Sequence, residues 1–297
     1  MKWNGLQMSA ASLENICTCK ECDHDYATDC MSCTCCGPGT HSMVMDGMEG
    51  FEPRGKEVQV RIPVGSIVLS GDLSRPTGNK QGIVLFAHGS GSSRHSTRNR
   101  YVAGVLQRAG LGTLLFDLLT EEEEMIDEQT GHLRFNIKLL ADRLAGVTDW
   151  LLNTLDSDEN NNNKFRIGYF GASTGAAAAL VAAANKGRHI VRAIVSRGGR
   201  PDLAGEYLEQ VTSPTLLIVG GDDKVVIGLN QEALSRLKSL RDDEKKLMIV
   251  PGATHLFEEP GTLEQVAQLA TRWFALFLDN SQQEDHTGNS QRRHDDS

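Results

Sequence analysis

No cysteine lies beyond Cys36 in a chain of 297 residues. Whatever holds the rest together, it is not a disulfide framework. No run of eighteen apolar residues occurs, so no transmembrane helix is expected and no membrane as a partner. Prolines number only eight and aromatic residues reach 5%. That composition fits neither collagen, a mucin stalk nor a membrane protein. The opening stretch MKWNGLQMSAASLENICTC lacks the continuous apolar core of a secretory signal. A soluble, cytoplasmic protein in a reducing compartment is the expectation. Positive charge is also short: 30 Lys and Arg stand against 39 Asp and Glu. Binding to phosphate backbones needs a basic face, so nucleic acid is not an expected partner.

What is present is unevenly spread. Residues 1–52 hold all seven cysteines and, with two Lys and eight Asp or Glu, a charge of −6. The last stretch, SQQEDHTGNSQRRHDDS (281–297), has no apolar residue to bury and is expected to be disordered. Between them lies a body, 53–280, of nearly neutral charge. Its one low-complexity run, DSDENNNNK (156–164), reads as a polar surface loop.

The body alternates strand-like and helix-like segments. VQVRIPV (58–64) and SIVLSGDL (66–73) suggest a hairpin about Gly65. Buried strands are expected at 82–89, 112–119, 165–171, 190–196, 214–221 and 245–252, each a short apolar run. Helices are expected between them. Val102, Val105, Leu106 and Ala109 share one face, as do Leu140, Leu144, Val147 and Leu151. Further helices are expected at 174–186, near Pro201, over 227–240 and from Thr262. Thr262 and Gln265 have the spacing of a capping box. Apolar strands joined by crossover helices mean a mostly parallel sheet covered on both faces. The connections leave little room for a separate lid domain.

GYFGASTGAAAAL (168–180) carries the sharpest chemical signal. Ser173 stands in Gly171-Ala172-Ser173-Thr174-Gly175, where a strand is expected to turn into a helix. At such a turn strand and helix run so close that side chains at −2 and +2 would collide. The clearance lifts one hydroxyl out of the sheet. The helix that follows aims its positive end, and the N–H of Thr174, at a developing oxyanion.

A neutral serine needs a base, and the base needs an orienting acid. Of nine histidines, His255 follows the last strand, in VPGATHLFEEP. Asp222 and Asp223 follow another strand, in IVGGDDKVV, at the sheet edge where ligands gather in open α/β folds. AHGSGSS (87–93) offers a small-residue loop whose Ser90 or Gly91 N–H can complete an oxyanion hole. His88 is read as shaping that loop. Arg197 and Arg200, and Arg94, Arg98 and Arg100, are candidates for an acidic substrate group. Pairing with the run Glu121–Glu124 is the preferred reading for them.

Over 53–280 the chain resembles the α/β-hydrolase fold, in its dienelactone-hydrolase-like branch. The resemblance rests on LFAHGSGSSRHSTRNRYVA, LLFDLLTEEEE, GASTGAAAAL, SRGGRPDLAG, LIVGGDDKVV and PGATHLFEEPGTLEQVA. It implies an eight-stranded, mostly parallel sheet and a Ser173–Asp223–His255 triad. It also implies cofactor-free hydrolysis of a small-molecule ester, thioester or lactone. Dienelactone hydrolases proper carry cysteine at the elbow, where this chain has Ser173.

The N-terminal segment is a separate question. Cys17, Cys19, Cys22, Cys30, Cys33, Cys35 and Cys36 crowd into twenty residues. In a reducing compartment such thiolates suit zinc or copper(I), and a flexible thiol-rich tail is the alternative. Two other functional readings follow: a metal-binding or metal-sensing protein on an idle hydrolase scaffold, and a cofactor-free perhydrolase.

Overall fold

The structure, a computed structural model, describes residues 57–78, 80–155 and 165–279. The expectations for the seven cysteines, the polar loop at 156–164 and the tail at 281–297 lie outside the described residues.

The first described elements are the hairpin β1 (Glu57–Val64) and β2 (Ile67–Ser74), turning at Gly65 with φ +59°. β3 (Gly82–Ala87), α1 (Thr97–Arg108), β4 (Gly112–Phe116), α2 (Glu121–Thr130) and α3 (Ile137–Leu155) follow. Next come β5 (Arg166–Ala172), α4 (Thr174–Lys186), β6 (Val191–Arg197) and a 3₁₀ segment, Pro201–Gln210. β7 (Thr215–Gly220), α5 (Lys224–Arg236), β8 (Lys245–Val250) and α6 (Thr262–Leu278) complete the body.

The described residues form one eight-stranded sheet in the order β1-β2-β4-β3-β5-β6-β7-β8. The pairs β1/β2 and β2/β4 are antiparallel; the remaining pairs are parallel. This is the α/β-hydrolase fold, without a lid domain among the described residues. The core divides by strand pleat. Ile83, Leu85 and Ala87 point to the layer of α3 and α4, while Val84 and Phe86 point to the layer of α1 and α6. Both faces are covered, which is why β3 and β4 are buried at every position. Phe86 and Phe170 meet at a centroid distance of 4.9 Å. Each such side chain stabilises the fold by about 1.5–3 kcal/mol through burial.

Strand order reverses between β3 and β5, since β3 is followed by β4 on one side and by β5 on the other. A crevice opens at the carboxyl ends of strands at such a switch. The loop after β3 and the turn after β5 both face it.

Three expectations need correcting. The final helix begins at Thr262, but its N-cap is Gly261 at φ +78°. Thr262 Oγ1 donates to Glu259 O at 2.7 Å, so no capping box forms there. α5 starts three residues before the expected position, directly after the turn at Asp223. The sequence reading also had no helix at 121–130. There Thr120 and Glu123 do form a capping box, in contacts of 2.9 and 3.2 Å. No helix among the described residues is long and apolar enough to cross a membrane.

Candidate active site

Ser173 is the single residue between β5 and α4, and its backbone sits at φ +52°, ψ −120°. Side chains rarely adopt this region, and holding one there costs about 1–3 kcal/mol. The surroundings enforce it. Its N–H donates to Arg197 O at 3.2 Å, and its C=O accepts from Ala176 and Arg200 N–H at 3.1 Å each. A Cβ on Gly171 would run into Ala176 Cα, and one on Gly175 into the carbonyl oxygens of Ala87 and His88. The flanking glycines are therefore a packing requirement. α4 is lined with alanine for the same reason: Thr174 through Ala183 are all buried. Ser173 itself is only half-buried.

The histidine arrives from the far half of the sheet. β8 ends at Val250, and the loop beyond it carries His255. Its Nδ1 lies 2.6 Å from Asp223 Oδ2, the residue that follows the β7 turn. Asp223 is 16% exposed at the side chain and Asp222 59%. Asp222 points elsewhere, with Lys224 Nζ at 4.0 Å. With Nδ1–H given to the carboxylate, Nε2 is left to accept a proton. The loop is pressed close to the elbow. Where Gly198 would carry a Cβ, His255 Cε1 is 3.6 Å away, and Gly198 follows the residue that binds the Ser173 N–H.

The loop after β3 is fixed by His88. Leu118 N–H donates to His88 Nε2 at 3.1 Å, so Nδ1 bears the hydrogen and donates to Gly89 O at 3.0 Å. Burial holds this imidazole below the ordinary 6.5, against the opposing hydrogen bond to Gly89 and charge of Asp117. A neutral strut results. Beyond it, Ser90 N–H donates to Thr174 Oγ1 at 2.9 Å, and the two hydroxyls are 3.3 Å apart. The sequence reading offered Ser90 as a free donor; here that N–H is already engaged by the hydroxyl at the first helical position. Gly91, the other candidate, sits at φ +67°. A cavity of about 200 Å³ opens beside this loop, lined by His88, Gly89, Ser90, Thr174, Leu118 and Leu140 and by residues of α2.

The arginines do not pair with Glu121–Glu124. Arg94 pairs with Asp117, Arg98 with Glu258 at 3.3 Å, Arg100 with Glu57 and Asp72 at 2.8 and 3.1 Å, and Arg200 with Asp202 at 2.8 Å. Glu123 is taken by Arg143 at 2.6 Å. The acidic run lies on a helix whose cap turns Glu123 inward, which residue order alone did not reveal. Arg197 is the exception. It is 6% exposed and has no carboxylate partner among the described residues. Its Nη2 reaches Asn99 Oδ1 at 3.4 Å, and its guanidinium lies 5.9 Å from the Phe257 ring centre. Burial, with Arg98 nearby, lowers its pKa to about 10.

This geometry has relatives. A family model described as PET hydrolase-like matches residues 142–293. The crystal structure of a dienelactone hydrolase from Anabaena variabilis is 57% identical, with a TM-score of 0.70, covering 76% of this chain and 99% of that one. The chain belongs to the dienelactone-hydrolase-like family of α/β-hydrolases. A lidless α/β serine hydrolase from Xanthomonas campestris shares the fold at 16% identity, with a TM-score of 0.58, covering 75% of this chain and 95% of that one. A Mycobacterium tuberculosis relative, provisionally named a phosphoribosyl transferase, is 56% identical over 223 residues, which are 75% of this chain and 47% of that protein. The chain thus spans about half the length of the curated relatives it matches.

Proposed function

We propose that this hydrolase cleaves a carboxylic ester, thioester or lactone through an acyl-enzyme on Ser173. The observation that carries this reading is the 2.6 Å contact between His255 Nδ1 and Asp223, on a loop packed against Gly198, whose neighbour Arg197 binds the N–H of the strained, half-buried Ser173. Ser173 Oγ attacks the carbonyl carbon while His255 Nε2 takes its proton. The carbonyl oxygen becomes an oxyanion facing the start of α4, where the Thr174 N–H has no helical acceptor of its own. The loop after β3 is the source of the second donor, either Gly91 or Ser90 once its N–H leaves Thr174 Oγ1. Collapse expels the alcohol or thiol, which receives the proton from His255. Water then attacks the acyl group, His255 again taking the proton, and the acid and free serine are restored. Asp223 keeps the imidazole in the correct tautomer and stabilises the imidazolium.

No cofactor enters these steps. The seven N-terminal cysteines are proposed to bind zinc or copper(I) apart from this chemistry. The test is labelling with a fluorophosphonate probe, followed by turnover of p-nitrophenyl esters of graded length. Labelling that survives Ser173→Ala overturns the reading. A protein that takes no probe and cleaves no ester is an idle scaffold.

A further inference from the structure

The cavity beside the oxyanion loop has an uneven charge. At its near end, Gly89 approaches the nucleophile so closely that a Cβ there would lie 3.0 Å from Ser173 Cβ. The cavity, which Gly89 and Thr174 line, therefore adjoins the nucleophile. Its lining also includes Glu124, Asp127, Glu128 and Arg134. Arg134, the one cation among the lining residues, is held to Asp127 by Nε and Nη2, while its Nη1 lies 3.6 Å from where a Cβ on Gly91 would stand. Arg134 Nε donates to Asp127 Oδ2 at 2.5 Å and Nη2 to Asp127 O at 2.9 Å. Asp127 also accepts from Leu133 and Arg134 N–H at 2.7 and 3.1 Å. That closed pair carries no net charge.

Glu124 and Glu128 then set the sign. Glu128 is exposed and faces solvent ions; Glu124 is half-buried, and its carboxylate has no hydrogen-bond or ion-pair partner among the described residues. Burial, then the charges of Asp117, Glu128 and Asp127, hold its carboxyl above the ordinary range against Arg134. Neither Arg98 nor Arg197 lines this cavity. Leu118 and Leu140 supply apolar wall. The volume, about 200 Å³, is below the roughly 300–1,000 Å³ of sites for drug-sized ligands.

We propose that this cavity receives the acyl chain, and that Glu124 makes the hydrolase select short acyl groups ending in a cation over those ending in a carboxylate. The inference rests on the hydrolytic reading above. An ammonium at the end of a chain of a few carbons meets the unpaired carboxylate in a partly desolvated place, where the attraction is stronger than in water. An anionic chain meets net repulsion there, because the charge of Arg134 is offset by Asp127 and leaves Glu124 and Glu128 in excess.

The test uses the full chain and three p-nitrophenyl esters with the same leaving group: butanoate, 4-(trimethylammonio)butanoate and hemisuccinate. The expected order of kcat/KM is cationic, neutral, anionic, with about tenfold or more between the extremes at low salt. Glu124→Gln compresses the cation-to-anion ratio several-fold, and Glu124→Lys inverts it. The ratio is internal to each preparation, so partial misfolding of a variant cancels. Added salt compresses the wild-type ratio in the same direction. If the neutral ester is cleaved and the three rates agree, or the anion leads, the inference fails and the hydrolytic reading stands. If no ester is cleaved, the hydrolytic reading fails first.

Discussion

His255 Nδ1 meets Asp223 Oδ2 at 2.6 Å, while the neighbouring Asp222 carboxylate is turned to solvent beside Lys224. Two adjacent aspartates are thus given opposite environments by one turn. Asp223→Asn is expected to lower turnover of a p-nitrophenyl ester about 10³–10⁴-fold, since the amide holds the imidazole in the wrong tautomer. Asp222→Asn should change it less than about twofold. Steady-state kinetics on one ester decides, and a larger loss from the Asp222 change would reverse the assignment.

Ser173→Ala should remove probe labelling and leave the thermal midpoint nearly unchanged. Ser173→Gly makes a sharper comparison, because φ +52° and ψ −120° suit a residue without Cβ. The glycine variant should be more stable than the alanine variant by about 1 kcal/mol in urea titrations. Equal stability would mean that the elbow holds no strain.

Gly175→Ala tests the packing around the serine independently of chemistry. The added methyl group would meet two backbone oxygens at the end of β3, which cannot rotate away. A loss of about 1–3 kcal/mol or more is expected, together with loss of labelling as the elbow and the oxyanion loop separate. Wild-type stability in this variant would show that the strand and helix are less closely packed than described.

His88 links stability to pH. Its folded pKa lies below the unfolded value of 6.5, so the unfolded chain takes up the proton first as pH falls. The stabilisation is fully present above about pH 6.5 and is lost as pH falls from there toward the folded pKa, with a slope of up to about 1.4 kcal/mol per pH unit. Urea midpoints of wild type and His88→Gln between pH 5 and 8 should converge on the acid side. Parallel curves would mean that the buried ring does not titrate.

Chelators should leave ester turnover unchanged, because every group in the proposed chemistry lies in the described body. Elemental analysis of the full chain before and after chelation reports whether the cysteines held metal. Turnover that falls with metal content would tie that segment to the active site.

Much of this was legible in the residues. The central strands announce themselves because burial on both faces demands unbroken Val, Ile, Leu and Phe. α4 could be bounded as Thr174–Lys186 because the elbow and Gly187 punctuate it on both sides. The serine, histidine and aspartate candidates could be named because chemistry restricts residue type and sheet topology restricts place. α2 was not foreseen: its apolar residues Met125 and Ile126 are exposed, so it has little helical periodicity to read. The cavity wall it carries was hidden for the same reason. The engagement of the Ser90 N–H by Thr174, and the pairing of each arginine, depend on distances between segments far apart in the chain. No local pattern encodes those.

The nucleophile and its base belong to regions of different security. Ser173 follows β5, which is paired on both sides and buried almost throughout. His255 hangs from β8, an edge strand whose one partner among the described residues is β7 and in which Ile249 is 43% exposed. Strands of that kind open locally at a lower free energy than the centre of a sheet. Fraying at this margin would withdraw the imidazole while the serine and the core stay in place. The hydrolase would then have a reversible resting form, native by its core and silent in turnover, that refastening one strand restores to work.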